Sequence, residues 1–248
     1  MNKLISIKNL NKLYYSKNSI IEAIKDISFD LYESEFISIV GPSGCGKSTL
    51  LNILTDMDKK SDGIIMVKEN LKFGYMLQSD SLLSWKSVLD NALLGLEIKH
   101  KKNKENIEYV ISLLKNYGLY DFKDKYPHEL SGGMRQRVAL IRTLALKPDI
   151  LILDEPFSKL DYQSRLSVSD DVFKILKKEQ KTAIMVTHDL AEAISMSTRV
   201  IVLSNRPATI KNIYEIKRDK YLSPIENRKD KNFSKYYDLI WKDLNNES

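Results

Sequence analysis

Short apolar runs dominate the first forty positions. KLISIKNL (3–10), AIKDISFDL (23–31) and EFISIV (35–40) alternate or carry β-branched clusters, so each predicts a β-strand. EFISIV leads directly into GPSGCGKST (41–49), after which STLLNIL (48–54) takes up helical spacing. Between about 85 and 130 the chain becomes polar and lysine-rich, with apolar residues at i, i+3, i+4. ENIEYVISLLKNYGL (105–119) is the clearest of these stretches, and the region predicts several amphipathic helices. From Ser131 the pattern alternates: helix SGGMRQRVALIRTLAL, strand DILILD, helix DYQSRLSVSDDVFKILKKE, strand TAIMVTH, helix DLAEAISM, strand RVIVLS. Such alternation implies parallel strands joined by crossover helices. DILILD and AIMVT are almost wholly apolar, as strands covered on both faces must be. The chain therefore predicts an α/β core that begins with a β region and carries an inserted helical subdomain at about 85–145. A charged tail, 217–248, closes in a helix at KYYDLIWKDL (235–244).

Composition narrows this little. The 248 residues are 43% hydrophobic and 29% charged, as in soluble globular proteins. No apolar run approaches the roughly 20 residues of a membrane helix, and lysine and asparagine interrupt the N-terminus, unlike a signal peptide. A single cysteine excludes an internal disulfide framework and fits a reducing cytoplasm. The net charge of +6 is scattered, apart from KHKKNK (99–104) and the tail, so solvated lysines account for it better than nucleic acid or a membrane surface.

The chemistry starts at GPSGCGKST, which satisfies G-x-x-x-x-G-K-[ST] between a predicted strand and a predicted helix. Gly41, Pro42, Ser43, Gly44, Cys45 and Gly46 form a loop whose amides converge on phosphate, and the following helix adds its positive end. Lys47 reaches the β- and γ-phosphates, Ser48 ligates Mg²⁺ and Thr49 touches the α-phosphate. Cys45, with no histidine beside it in the sequence, reads as filler. ILILDEP (150–156) then sets two carboxylates at the end of a buried strand, where open parallel sheets bind ligands. Asp154 would hold Mg²⁺, directly or through water, and Glu155 would polarise the water that attacks the γ-phosphate. His188 follows the next apolar strand and predicts a γ-phosphate contact, while His100 and His128 read as structural.

A second glycine motif, LSGGMRQR (130–137), opens a helix some eighty residues further on. A serine cap explains Ser131 but not Gly132 and Gly133, since a glycine pair weakens a helix start. With it the ordered set of motifs over residues 4–210 resembles one family closely: the nucleotide-binding subunits of ABC transporters. In that resemblance GPSGCGKST is the Walker A loop, Gln78 in GYMLQSD the Q-loop glutamine, LSGGMRQR the signature and ILILDEP Walker B. SKLD (158–161) resembles the D-loop and His188 the switch histidine.

The resemblance implies a P-loop ATPase domain over 1–216 that hydrolyses ATP with Mg²⁺. It implies a head-to-tail homodimer, or a heterodimer with a similar ATPase, in which Ser131, Gly132 and Gly133 face the γ-phosphate held by the partner copy. Gln78 would sense Mg²⁺ and the attacking water, and Asp161 would couple the two sites. Tyr14, or Tyr15 in its place, would stack on adenine; a core tyrosine is the alternative for either. LLSW (82–85), DNALLGLEI and RPATIKNIYEI resemble the importer group for nitrate, taurine and alkanesulfonates. That implies a membrane permease, a solute-binding protein and a peripheral position on the cytoplasmic face, with no nucleic-acid partner. Ser84 stands where the group has proline, Ser34 and Asp56 where the family has glycine, Lys159 where it has alanine, and the region 63–77 is short. A soluble ABC ATPase acting on nucleic acid or on a scaffold complex is the other reading, but tandem cassettes and coiled-coil insertions are absent from the sequence.

Overall fold

The computed structural model describes residues 2–16, 19–218 and 222–245. Two sheets organise it. The first is antiparallel, with β1 (Lys3–Ser16) between β2 (Ser19–Tyr32) and β4 (Asp62–Val67). The second has the order β5-β6-β7-β3-β8-β9, built from β3 (Phe36–Val40), β5 (Phe73–Met76), β6 (Ile150–Asp154), β7 (Thr182–Val186), β8 (Arg199–Leu203) and β9 (Ile210–Glu215). Its first five strands run parallel and β9 closes the edge antiparallel to β8. EFISIV is thus an interior strand of the parallel sheet, between β7 and β8, while its two predecessors join β4 in the antiparallel one.

The uninterrupted apolar runs follow from burial on both faces. In β6, Ile150 and Ile152 face a core shared with the antiparallel sheet and α1 (Lys47–Leu54), whereas Leu151 and Leu153 face the helices on the other side. In β7, Ile184 and Val186 divide from Ala183 and Met185 in the same way. The helices are α2 (Val88–Ile98), α3 (Lys104–Asn116), α4 (Gly132–Leu144) and α5 (Tyr162–Lys178). Ser87, Asn103, Ser131 and Asp161 cap them, each side chain accepting an amide of the first turn, worth about 1 kcal/mol apiece.

Beyond β7, α6 (Leu190–Met196) packs against α7 (Pro224–Asn227) and α8 (Phe233–Asn245). α8 sinks Ile240 among Val40, Leu190, Ile194 and Val202, so the helix expected at 235–244 lies on the core. Residues 219–221 and 246–248 of the tail lie outside the described set. Two of the departures from glycine acquire a backbone reason to be noticed: Ser34 sits at φ 60 and Asp56 at φ 57, both left-handed. The fold tolerates a side chain there at a cost of about 1–2 kcal/mol each.

Candidate nucleotide site

Parallel strands deliver their carboxyl ends to one edge, and the polar residues gather there. The loop 41–46 joins β3 to α1, and Ser48 and Thr49 lie on the first turn of α1. Gly46 adopts φ 132, and a Cβ there would come within 2.9 Å of the Ala23 carbonyl oxygen. Only glycine fits, because φ 132 disfavours a side chain and the Ala23 carbonyl, itself bonded by the Ala208 amide at 3.0 Å, takes up the space. Lys47 is buried and folds back, its Nζ donating to the carbonyls of Gly41 and Pro42 at 2.8 Å each. Cys45 is buried and its thiol is pushed up by that burial, which agrees with a packing role.

At the end of β6, Asp154 accepts a hydrogen bond from the Tyr75 hydroxyl at 3.1 Å and another from Ser48. Burial raises the Asp154 carboxyl above its ordinary range, and the adjacent Glu155 adds to this; Tyr75, Lys47 and Ser48 oppose the shift. Glu155 turns left-handed, φ 44, with its amide tied to the Val186 carbonyl at 2.9 Å. That geometry costs about 1–3 kcal/mol and is the kind of strain that accumulates at working sites. Its Oε2 accepts from Gln78 Nε2 at 2.8 Å and lies 3.5 Å from His188 Nδ1. Residues from four segments, 47–48, 78, 154–155 and 188, therefore meet at one sheet edge. Among the described residues no three His, Cys, Asp or Glu side chains gather to hold a metal. The donor set Ser48, Asp154 and Gln78 suits Mg²⁺, which takes few protein ligands and completes its shell with water and phosphate.

The second glycine motif lies apart from this cluster. Ser131 caps α4 through Met134 N at 3.3 Å, and Gly132 and Gly133 form the first turn. Gly133 has a steric reason independent of any ligand: a Cβ there would meet Val168 Cγ2 of α5 at 2.9 Å. The two arginines of LSGGMRQR are partly exposed and both are bonded within the chain. Arg135 bonds Asp80 at 3.0 Å and the Leu130 carbonyl, and Arg137 donates to the Tyr117 carbonyl. Asp161 caps α5 through Ser164 N at 3.0 Å. Tyr14 is part exposed, with its hydroxyl on Asp58 at 2.7 Å and the Lys12 ammonium 4.5 Å from its ring centre; Tyr15 is more exposed.

Sequence reasoning missed three things. Tyr75 reaches Asp154 only because β5 pairs with β6, Tyr75 opposite Ile152. Arg142, with Arg135, clamps the segment after Gln78, donating to the carbonyls of Asp80 and Ser81. Arg165 joins the 158–161 turn to the residue after His188. Arginine at helical spacing behind each motif was the only local signal.

Comparison with known proteins identifies the family. The ABC transporter family model matches residues 24–158. The chain is 44% identical to the uncharacterized ABC transporter ATP-binding protein YtlC of Bacillus subtilis, over 97% of this chain and 95% of that protein. It is 41% identical to the taurine import ATP-binding protein TauB of Rhizobium johnstonii, over 77% of this chain and 75% of that one. Among solved structures it resembles the dimeric, post-hydrolysis ATP-binding cassette MJ0796 bound to ADP and Pi. There the TM-score is 0.73 at 30% identity, covering 86% of this chain and 99% of that chain. The chain belongs to the ABC transporter family and is an ATP hydrolase of its ATP-binding type.

Proposed function

We propose that two copies of this chain, or one copy with a similar ATPase, close head to tail around two ATP·Mg²⁺ and drive a separate membrane importer. The observation that carries the hydrolytic part is the convergence of Gln78 and His188 on one oxygen of Glu155. Those contacts hold the carboxylate in place while its second oxygen stays available to accept a proton from water. Lys47 exchanges its two carbonyl acceptors for β- and γ-phosphate oxygens, and Thr49 meets the α-phosphate. Ser48 and Asp154, with Gln78, would hold Mg²⁺, and the ion would supply charge neutralisation at the phosphates. Ser131, Gly132 and Gly133 present a hydroxyl and first-turn amides to the nucleotide of the partner copy, with Asp161 at the crossing. Tyr14 stacks on adenine.

The permease contact is assigned to the insert. Trp85 is 72% exposed at the end of the loop that Arg135 and Arg142 clamp. Among the described residues no helix is long and apolar enough to cross a membrane; in this reading a separate permease supplies the translocation path. The chain then sits peripherally on the cytoplasmic face. The cargo is a small taurine-, sulfonate- or nitrate-like compound, delivered by a solute-binding protein. Glu155→Gln tests the reading. Turnover should fall by about 100-fold or more while ATP binding persists and an ATP-dependent dimer accumulates in size-exclusion chromatography. The same variant, trapped with ATP and extracted gently from membranes, should copurify with a multi-spanning permease. Unchanged turnover would remove Glu155 as the base, and recovery with soluble proteins or RNA alone would remove the importer.

A further inference from the structure

We propose that Arg165 is a positioning residue for hydrolysis, holding His188 against Glu155 and carrying the state of the 158–161 turn to it. The inference rests on the roles given above to Glu155 and His188.

Arg165 stands one turn inside α5, its amide bonded to the Asp161 carbonyl at 2.8 Å. Side chains on a helix lean toward its N-terminus, which brings the guanidinium back over the turn that precedes the helix. Nη2 donates to the Leu160 carbonyl at 3.1 Å, immediately before Asp161. Nη1 donates to Asp189 Oδ2 at 3.2 Å, immediately after His188. Nε lies 3.7 Å from Glu192 Oε1. One planar fork therefore touches both loops, a geometry that a lysine cannot reproduce.

Both neighbours of His188 are fixed by the same network. The second oxygen of Asp189 accepts Glu192 N at 3.0 Å and so caps α6. The Asp189 amide donates to Thr187 Oγ1 at 3.0 Å, and that hydroxyl donates to Glu192 Oε2 at 2.8 Å. Glu192 is buried, and burial together with the adjoining Asp189 pushes its carboxyl up to about 7, with Arg165 and Arg228 opposing. At the other end of the turn, Ser158 Oγ donates to the Glu155 carbonyl at 3.0 Å. The path runs from Glu155 through the turn to Arg165, and from Arg165 to Asp189, whose backbone joins His188. A brace serving only to hold α5 on α6 has no need to grip the Leu160 carbonyl.

The test uses the full-length protein with Arg165→Ala, Arg165→Lys and Asp189→Asn beside Glu155→Gln and His188→Ala. For each, turnover is measured across ATP concentrations, ATP affinity by titration, and thermal midpoint. Arg165→Ala should lower kcat by about tenfold to 100-fold with ATP affinity unchanged within about twofold. Arg165→Lys, which keeps the charge without the fork, should fall between Arg165→Ala and the wild type. The pair Arg165→Lys with Asp189→Asn should lose no more than its worse member, because both act through one contact. Where Arg165→Ala does not fold, Arg165→Lys and Asp189→Asn carry the same expectation. Wild-type kcat in the folded Arg165 variants overturns the inference. So does a loss that follows thermal midpoint and ATP affinity together, or a double variant whose losses multiply. Wild-type turnover in Glu155→Gln and His188→Ala would instead overturn the site reading beneath it.

Discussion

The chain opens two helices with glycine-bearing anion motifs, and they are built differently. α1 starts at Gly46 with no side-chain cap, and its lysine is parked on carbonyls of the same loop. α4 starts at Ser131 with a side-chain cap already made, and its arginines are bonded within the chain. The first start leaves its first-turn amides without a side-chain cap and its lysine on loop carbonyls, which a nucleotide could replace in the proposed reading. The second is finished as a helix and offers only what lies on its outer face. Glycine also means different things at the two places. At Gly46 it permits a backbone conformation; at Gly133 it permits α4 to lie close on α5. In the proposed reading the first motif is completed by nucleotide, whereas the second is complete as structure and would meet a ligand only through a partner copy.

The largest test of that contrast is Lys47→Ala, which should weaken ATP binding by at least about 100-fold in titration calorimetry. Tight binding by the folded variant would mean that the loop amides suffice. A smaller and opposite pattern is expected at the second start. Ser131→Ala should leave monomer ATP affinity unchanged, cost about 1 kcal/mol of stability, and weaken the ATP-dependent dimer in the Glu155→Gln background. Gly133→Ala should cost about 1–3 kcal/mol through its contact with Val168. Loss of monomer ATP affinity in Ser131→Ala would erase the distinction between the two helices. The smallest effect concerns left-handed positions that lack glycine. Ser34→Gly and Asp56→Gly should each add up to about 1 kcal/mol, seen as a shifted denaturation midpoint with unchanged slope and turnover. No gain would show that the side chains already offset the strain.

Legibility in the sequence followed distance along the chain. GPSGCGKST, ILILDEP and the serine before α4 are contiguous, so type, spacing and flanking periodicity were enough to assign them. The parallel arrangement, though not the strand order, is readable because Ile150 to Leu153 and Ala183 to Val186 are apolar on both faces. Tyr75, Asp80 and Arg165 were not readable. Their partners lie 79, 55 and 24 residues away and meet them only through strand pairing or helix packing. For the glycine pair of α4 the sequence offers only the anion-binding expectation; the steric need of Gly133 beside Val168 requires α5 in place. Ser34 and Asp56 stood out as departures from glycine, and the left-handed backbone they share was visible only in three dimensions.

The chain's two tryptophans have an optical consequence. Trp241 stacks on Tyr237, with ring centres 6.3 Å apart, in the helix that rests against α6. Trp85 stands open to solvent at the far side of the clamped loop. Their emission is therefore separable: in a Trp241→Phe protein, fluorescence and its quenching by acrylamide report on the loop alone. The chain carries a built-in dye at the surface assigned to a partner, and docking there would be read without any label.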